Sequence, residues 1–227
     1  MEDGKVMINI LYEDNHLLVV EKKVGILSQS DGTNTPDMLT ILKQYLKEKY
    51  NKPGNVYLGL VHRLDKNVGG VMVFAKTSKA ASRLSEQIRN KEFSKSYLAV
   101  CNGIIKGDGK YLDYLKREEY RSFIGTKDNG KFASLTFKAL ASKDNTTLLK
   151  INLETGRHHQ IRVQFASRNH PLLGDDKYGK KGAFPIALYA YKLAFTHPTT
   201  KEKLEFTSLP TEGYFSYFHD LMKNIDN

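Results

Sequence analysis

Short apolar runs, each closed by a tight-turn pair, recur along the chain and restrict its fold before any motif is read. Ser134–Leu140 and Thr147–Leu153 flank Asp144-Asn145, the turn chemistry of a hairpin. Ile8-Asn9-Ile10-Leu11-Tyr12 and Leu17-Leu18-Val19-Val20 flank Asp14-Asn15 and read as two strands joined tightly. Tyr191–Thr196 and Lys203–Thr207 bracket a turn containing His197-Pro198. Val71-Met72-Val73-Phe74-Ala75 follows Gly69-Gly70 as a buried strand, and Ser96–Val100 is another. Between these lie helical stripes. Met38, Ile41, Leu42, Tyr45 and Leu46 follow the start signal Thr35-Pro36-Asp37. Ala80, Ala81, Leu84 and Ile88 follow a cap at Thr77 or Ser78, and Phe215, Phe218, Leu221, Met222 and Ile225 close the chain. Hairpins with helices interspersed predict an α+β fold on a mostly antiparallel sheet.

Two segments resist this reading. Gly107 to Gly130 is polar and rich in Gly and Lys, and reads as an excursion or flap. His159 to Phe165 fits a strand by alternation, yet Ile161 and Phe165 also fit one helical face; both assignments stay open.

Composition excludes several classes. The 227 residues contain one cysteine, Cys101, so a disulfide framework or a multi-thiolate zinc site is out. No stretch approaches the roughly 18 apolar residues of a membrane span. Met1-Glu2-Asp3-Gly4-Lys5 has acids where a secretory signal carries a basic end and an apolar run, so a cytoplasmic location is expected. The formal charge of +10, from 35 basic and 25 acidic residues, favours phosphate-rich partners without identifying one. No phosphate-binding glycine fingerprint and no serine nucleophile elbow occurs. His62, Asp65, His158, His159, His170 and His197 match no zinc spacing, and no metal is expected.

Two segments concentrate ionisable groups. In Val61-His62-Arg63-Leu64-Asp65-Lys66-Asn67-Val68-Gly69-Gly70, glycines and apolar runs bracket a charged cluster, as where a sheet presents a reactive side chain at a strand end. A lone aspartate there is ordinarily a turn residue or a cap. In Thr155-Gly156-Arg157-His158-His159-Gln160-Ile161-Arg162, a guanidinium is available for a carboxylate or phosphate; the plainer reading is a solvated loop. On the residues alone, a non-catalytic RNA-binding module and a glycosidase or phosphoesterase using Asp65 also stand. Glycosidases usually need two carboxylates, and only Asp65 stands out.

The run His62-Arg63-Leu64-Asp65, then Gly69-Gly70 and Val71–Thr77, resembles the active-site motif of RluA-type pseudouridine synthases. So do Lys95-Ser96-Tyr97-Leu98-Ala99, Gly156–Val163, His170-Pro171-Leu172-Leu173-Gly174-Asp175 and Phe195-Thr196-His197-Pro198, all in the family's order between about Ile10 and Leu209. The departures are Val68-Gly69, where a Thr or Ser is usual, His158 in place of Thr, and Lys22-Lys23 near a usual Lys-Pro pair.

The resemblance implies a pseudouridine synthase fold: a mostly antiparallel mixed sheet with flanking helices and a central RNA-binding cleft, with residues 1–227 as one catalytic domain lacking the accessory N-terminal RNA-binding domain. It implies isomerisation of uridines in ribosomal or transfer RNA stem-loops, with the base flipped out and no cofactor. Asp65, Tyr97 and Arg162 would be catalytic: Asp65 acting on the sugar, Arg162 favouring its charged form, Tyr97 against the uracil. His62, Arg63, Arg157 and Lys76 would bind substrate. No membrane and no obligatory protein partner is implied, and a monomer is the default.

Overall fold

The computed structural model describes residues 7–223 and residue 225. The opening residues Met1–Lys5, on which the secretory reading rests, lie outside them. In chain order the elements are β1 (Asn9–Glu13), β2 (Leu17–Lys22), α1 (Met38–Lys49), β3 (Gly59–Leu60), β4 (Gly69–Ala75), α2 (Ser78–Arg89) and β5 (Ser94–Asn102). There follow β6 (Asp108–Glu118), β7 (Arg121–Gly125), β8 (Lys131–Lys143), β9 (Thr146–Leu153), α3 (Gln160–Ala166), β10 (Leu188–Thr196) and β11 (Lys203–Thr207). A 3₁₀ turn, Gly213–Phe218, leads into α4 (His219–Met222). The expected α+β class is borne out. The residues gather into two compact units: 1–93 with 192–208, and 94–191 with 209–227.

In the first unit β2 lies between β1 and β4, antiparallel to both, and β3 also pairs with β4. All seven residues of β4 are buried, as the run Val71–Ala75 requires. Leu17, Val19, Val71 and Val73 pack with Ala80 and Leu84 of α2 and with Leu193 and Phe195 of β10. Both long helices start on side-chain caps. The Asp37 carboxylate accepts from Thr40 N–H at 3.0 Å, and Thr77 Oγ1 accepts from Ala80 N–H at 3.1 Å. Pairing of β10 with β11 completes this unit.

The second unit runs in the order β5-β9-β8-β6-β7, with antiparallel neighbours throughout. Asp144 and Asn145 hold φ of 49° and 55° between β8 and β9, the left-handed pair that a two-residue hairpin demands. The segment read as a flap is β6 and β7, a hairpin laid beside β8. Exposed and half-buried positions alternate only over the first half of β6, residues 108–113, with polar residues at both, which masks the strand in the sequence. The tail is not one helix; the apolar residues Phe215, Phe218 and Met222 bury themselves from a 3₁₀ turn and a four-residue helix.

One carboxylate ties α1 to the strands. Glu13 accepts from Lys49 Nζ (2.7 Å), Tyr45 Oη (2.8 Å), Tyr50 Oη (2.6 Å) and Lys76 Nζ (2.9 Å). Burial pushes its acid upward, but these four donors outweigh it and hold the group at about 2. Lys76 also donates to the Asp14 carbonyl and lies 4.8 Å from the centre of the Tyr50 ring. Its ammonium, expected on the RNA path, is therefore committed inside this unit.

Because the folded acid is depressed below its ordinary 4.5, its stabilisation is complete above that pH and is lost as pH falls toward 2. Glu13→Gln is expected to cost about 1–3 kcal/mol at pH 7 and to flatten the acid limb of stability. Thermal melts of both proteins between pH 2 and 7 measure this.

Candidate active site

Asp65 lies half-buried in the loop between β3 and β4. The peptide groups on either side of it are held by the segment that follows β2. Ser28, itself buried, donates from Oγ to the Leu64 carbonyl at 2.7 Å and accepts from Leu64 N–H at 3.0 Å. One hydroxyl thus satisfies both backbone groups of the preceding residue. On the other side the Lys66 carbonyl accepts from Lys22 Nζ at 3.1 Å and from Gly25 N–H at 2.9 Å. Asp65 adds a turn of its own, its carbonyl accepting from Val68 N–H at 3.0 Å.

Lys22 is fully buried and donates also to the carbonyls of Ile26 (2.6 Å) and Lys23 (3.2 Å). Burial lowers its pKa to about 8, against the opposing pull of the Asp65 charge. A lysine is rarely so deep unless its three protons are spoken for. Here three carbonyls take them, and the cationic end is held beside the Asp65 loop.

The neighbouring candidates divide. His62 Nε2 accepts from Val73 N–H at 3.1 Å and its ring is 5.7 Å from Phe93, so the imidazole is fixed against β4. Accepting a backbone proton requires an unprotonated Nε2. Arg63 and Lys66 are exposed, with Lys66 3.5 Å from Thr35 Oγ1. Lys76 is placed in the Glu13 network described above.

In the second unit, Tyr97 sits on β5, buried and opposite Ile151 of β9. The ambiguous segment forms helix α3, not a strand. Gln160 through Phe165 are all buried, and the polar Gln160, Arg162 and Gln164 alternate with Ile161, Val163 and Phe165 in the period of a strand. The turn into α3 is closed by Gln160, whose Oε1 accepts from Thr155 Oγ1 and Arg157 N–H while its Nε2 donates to the Ser134 carbonyl. His159 caps the helix with φ 53°, a left-handed conformation that a branched side chain resists.

Arg162 is buried and forks onto Asp175: Nε donates to Oδ2 at 2.9 Å and Nη2 to Oδ1 at 2.6 Å. Asp175 is fully buried and also accepts from the N–H groups of Lys177 and Tyr178. The Tyr178 ring lies 5.2 Å from the guanidinium carbon, and its hydroxyl meets His159 Nδ1 at 2.8 Å and Ser122 N–H at 2.7 Å. His158 stacks on His159 at 3.7 Å and bonds Ser122 Oγ at 2.9 Å. Arg157, exposed, donates from Nε to the Phe132 carbonyl.

Sequence reasoning gave no role to Asp175, Tyr178, Lys22 or Ser28. Asp175 and Tyr178 stand 13 and 16 residues beyond Arg162, with the buried carboxylate after a turn glycine as the one local signal. Nothing local marks Ser28, whose partner is 36 residues away. Burial pushes the Cys101 thiol up to about 12, in keeping with a packing role. Among the described residues, no three His, Cys, Asp or Glu side chains gather as a metal site.

The family described as RNA pseudouridylate synthase matches residues 16–167, which include Asp65, Tyr97 and Arg162. The chain belongs to this family. It is an RNA pseudouridine synthase, an isomerase. It is 35% identical to an uncharacterized RNA pseudouridine synthase of Aquifex aeolicus, over 94% of this chain and 72% of the relative. It is 34% identical to a ribosomal large subunit pseudouridine synthase D of Neisseria meningitidis, over 91% of this chain but only 59% of the relative. Among solved structures, that of human RNA pseudouridylate synthase domain containing 4 superposes with a TM-score of 0.78 at 21% identity, covering 94% of this chain and 93% of that one. That likeness bears on the fold. No helix among the described residues is long and apolar enough to cross a membrane.

Two outcomes test the geometry of this pseudouridine synthase. Lys22, its pKa lowered from 10.5 to about 8, binds its proton less tightly folded than unfolded, so its burial costs stability below pH 8. That cost is relieved as pH rises toward 10.5, and Lys22→Met removes the rise; urea midpoints at pH 7.5 and pH 10 read the difference. Asp175→Asn removes the buried carboxylate onto which Arg162 forks, Asp176 at 3.7 Å being mostly exposed, and is expected to cost about 3–5 kcal/mol, measured by urea denaturation.

Proposed function

We propose that this pseudouridine synthase isomerises specific uridines in structured RNA, with Asp65, Tyr97 and Arg162 as its catalytic set and residues 1–227 working as one catalytic domain. The observation that carries the reading is Asp65: a half-buried carboxylate whose flanking peptides are tied down on both sides by Ser28 and Lys22. A carboxylate that only turned a loop would need no such anchoring.

In the reaction the N1–C1′ bond of uridine breaks and a C5–C1′ bond forms. The proton on carbon 5 leaves and N1 gains one, so the change is redox-neutral. Asp65, ionised, acts on the sugar as nucleophile or as base. Tyr97 bears against the detached uracil while it turns, and Arg162 supplies fixed positive charge to the carboxylate chemistry. The base is flipped from its stack, at a cost of a few kcal/mol, with His62 and Arg63 serving the vacated space and Arg157 the phosphate backbone. Ribosomal RNA is the first substrate to test, since several relatives carry a large-subunit name; a transfer RNA stem-loop is the second.

Asp65→Asn is expected to abolish tritium release from carbon-5-labelled RNA, by at least about 10³-fold, without loss of fold. Pseudouridine mapping in deletion and wild-type cells identifies the target. A wild-type protein inactive on RNA from the deletion strain, or an Asp65→Asn protein that keeps its activity, would overturn the proposal.

A further inference from the structure

Lys95 is half-buried, and it differs from the buried cations Lys22 and Arg162. It lies two residues before Tyr97 on β5, and strand side chains two apart share a face, so both project to the same side of the sheet. Their cross-strand neighbours on β9 are Leu153 and Ile151, which offer no charge. The Lys95 ammonium lies 3.0 Å from where a side chain on Gly156 would begin. Gly156 is exposed and opens the Gly156–Arg162 segment. Lys95 is thus half-buried on β5, with its charged end beside a bare, exposed glycine.

Those buried cations are answered. Lys22 has three carbonyls and the nearby charge of Asp65, and Arg162 has Asp175. For Lys95, burial pushes the ammonium below the ordinary lysine range, and no carboxylate among the described residues is set against it. A desolvated cation without a counter-charge is a standing cost to the fold, and such groups cluster where a ligand supplies the missing charge. An RNA substrate supplies one kind of anion, the phosphodiester, which a lysine binds as a compact point charge.

We propose that Lys95 binds a phosphodiester oxygen of the RNA, close to the nucleotide that Tyr97 handles, and that the bare Gly156 is the opening through which the phosphate reaches it. This rests on the functional reading above and names one contact that the reading leaves unassigned. A lysine held for structure stabilises the fold. One held for a phosphate destabilises the free protein and strengthens the complex. The two roles therefore predict opposite signs for the same substitution.

The test uses the full chain, with thermal midpoints taken without RNA and binding to a fluorescein-labelled single-stranded oligouridylate over a potassium chloride series. Lys95→Met is expected to raise the midpoint while weakening binding, and to reduce the slope of log affinity against log salt by about 0.7, the share of one single-strand phosphate contact. Lys95→Arg restores the slope. Gly156→Val, which keeps the charge but fills the opening, weakens binding in the same direction. A Lys95→Met protein with an unchanged salt slope, or with a lowered midpoint and intact binding, overturns the proposal. Tritium release by the wild-type protein judges the functional reading separately. An active wild type with an unchanged Lys95→Met slope sinks the phosphate contact alone. An inactive wild type whose binding still depends on Lys95 sinks the reaction and leaves the contact standing.

Discussion

Burial of the Lys22 ammonium among three backbone carbonyls sets the terms for everything near Asp65. A charge so deep is expensive, and the chain offsets it by aiming the carbonyls of three residues at one point. One of those carbonyls belongs to Lys66, so the same bonds that make the lysine tolerable also fix the residue after the aspartate. Ser28 does the matching work one residue before it. Asp65 keeps its side chain half-exposed while its backbone has little freedom. A group meant to meet a substrate in a fixed geometry needs that combination.

The second unit solves a related problem with different chemistry. Arg162 is buried beside a fully buried carboxylate, and Asp175 draws further bonds from two N–H groups of its own turn. The fork fixes the plane of the guanidinium as well as its position, and the Tyr178 ring covers it. His159 accepts a left-handed backbone at the helix start, which brings its ring to the Tyr178 hydroxyl. Strain of this kind persists only where surrounding bonds over-determine it, and here they do.

Local chemistry was the readable part of the sequence. The Asp144-Asn145 turn, the Thr77 cap and the apolar run of β4 each rest on neighbours in the chain, and each is where the residues place it; the helix start at Thr35-Pro36-Asp37 is met only at its last residue, Asp37 capping α1 with Pro36 outside. Helix α3 was not readable, because its polar residues Gln160, Arg162 and Gln164 are buried with the apolar ones and alternate with them as in a strand. Strands β6 and β7 were missed for the opposite reason: polar side chains occur on both faces, so nothing alternates cleanly. Of the candidate site, Asp65, Tyr97 and Arg162 came from motifs in order, not from periodicity. Of the residues that hold them, Ser28 acts across 36 residues and Lys22 reaches Lys66 across 44, while Asp175 is marked locally only by the glycine before it.

Strand β7 ends its sheet, and among the described residues it pairs with β6 alone. Its outer row of N–H and C=O groups is a template on which a strand of another molecule could lie, and Phe123 and Ile124 are both substantially exposed there. Against this stand Arg121 at its start, anchored to the Lys177 carbonyl, and Lys116 and Arg117 on the adjoining strand. Lys116 is itself paired with Glu118 at 2.6 Å, so the charge at this end of the sheet is mixed rather than of one sign. The edge is thus left open to a strand from another molecule, with individual side chains rather than a covering element to oppose the pairing.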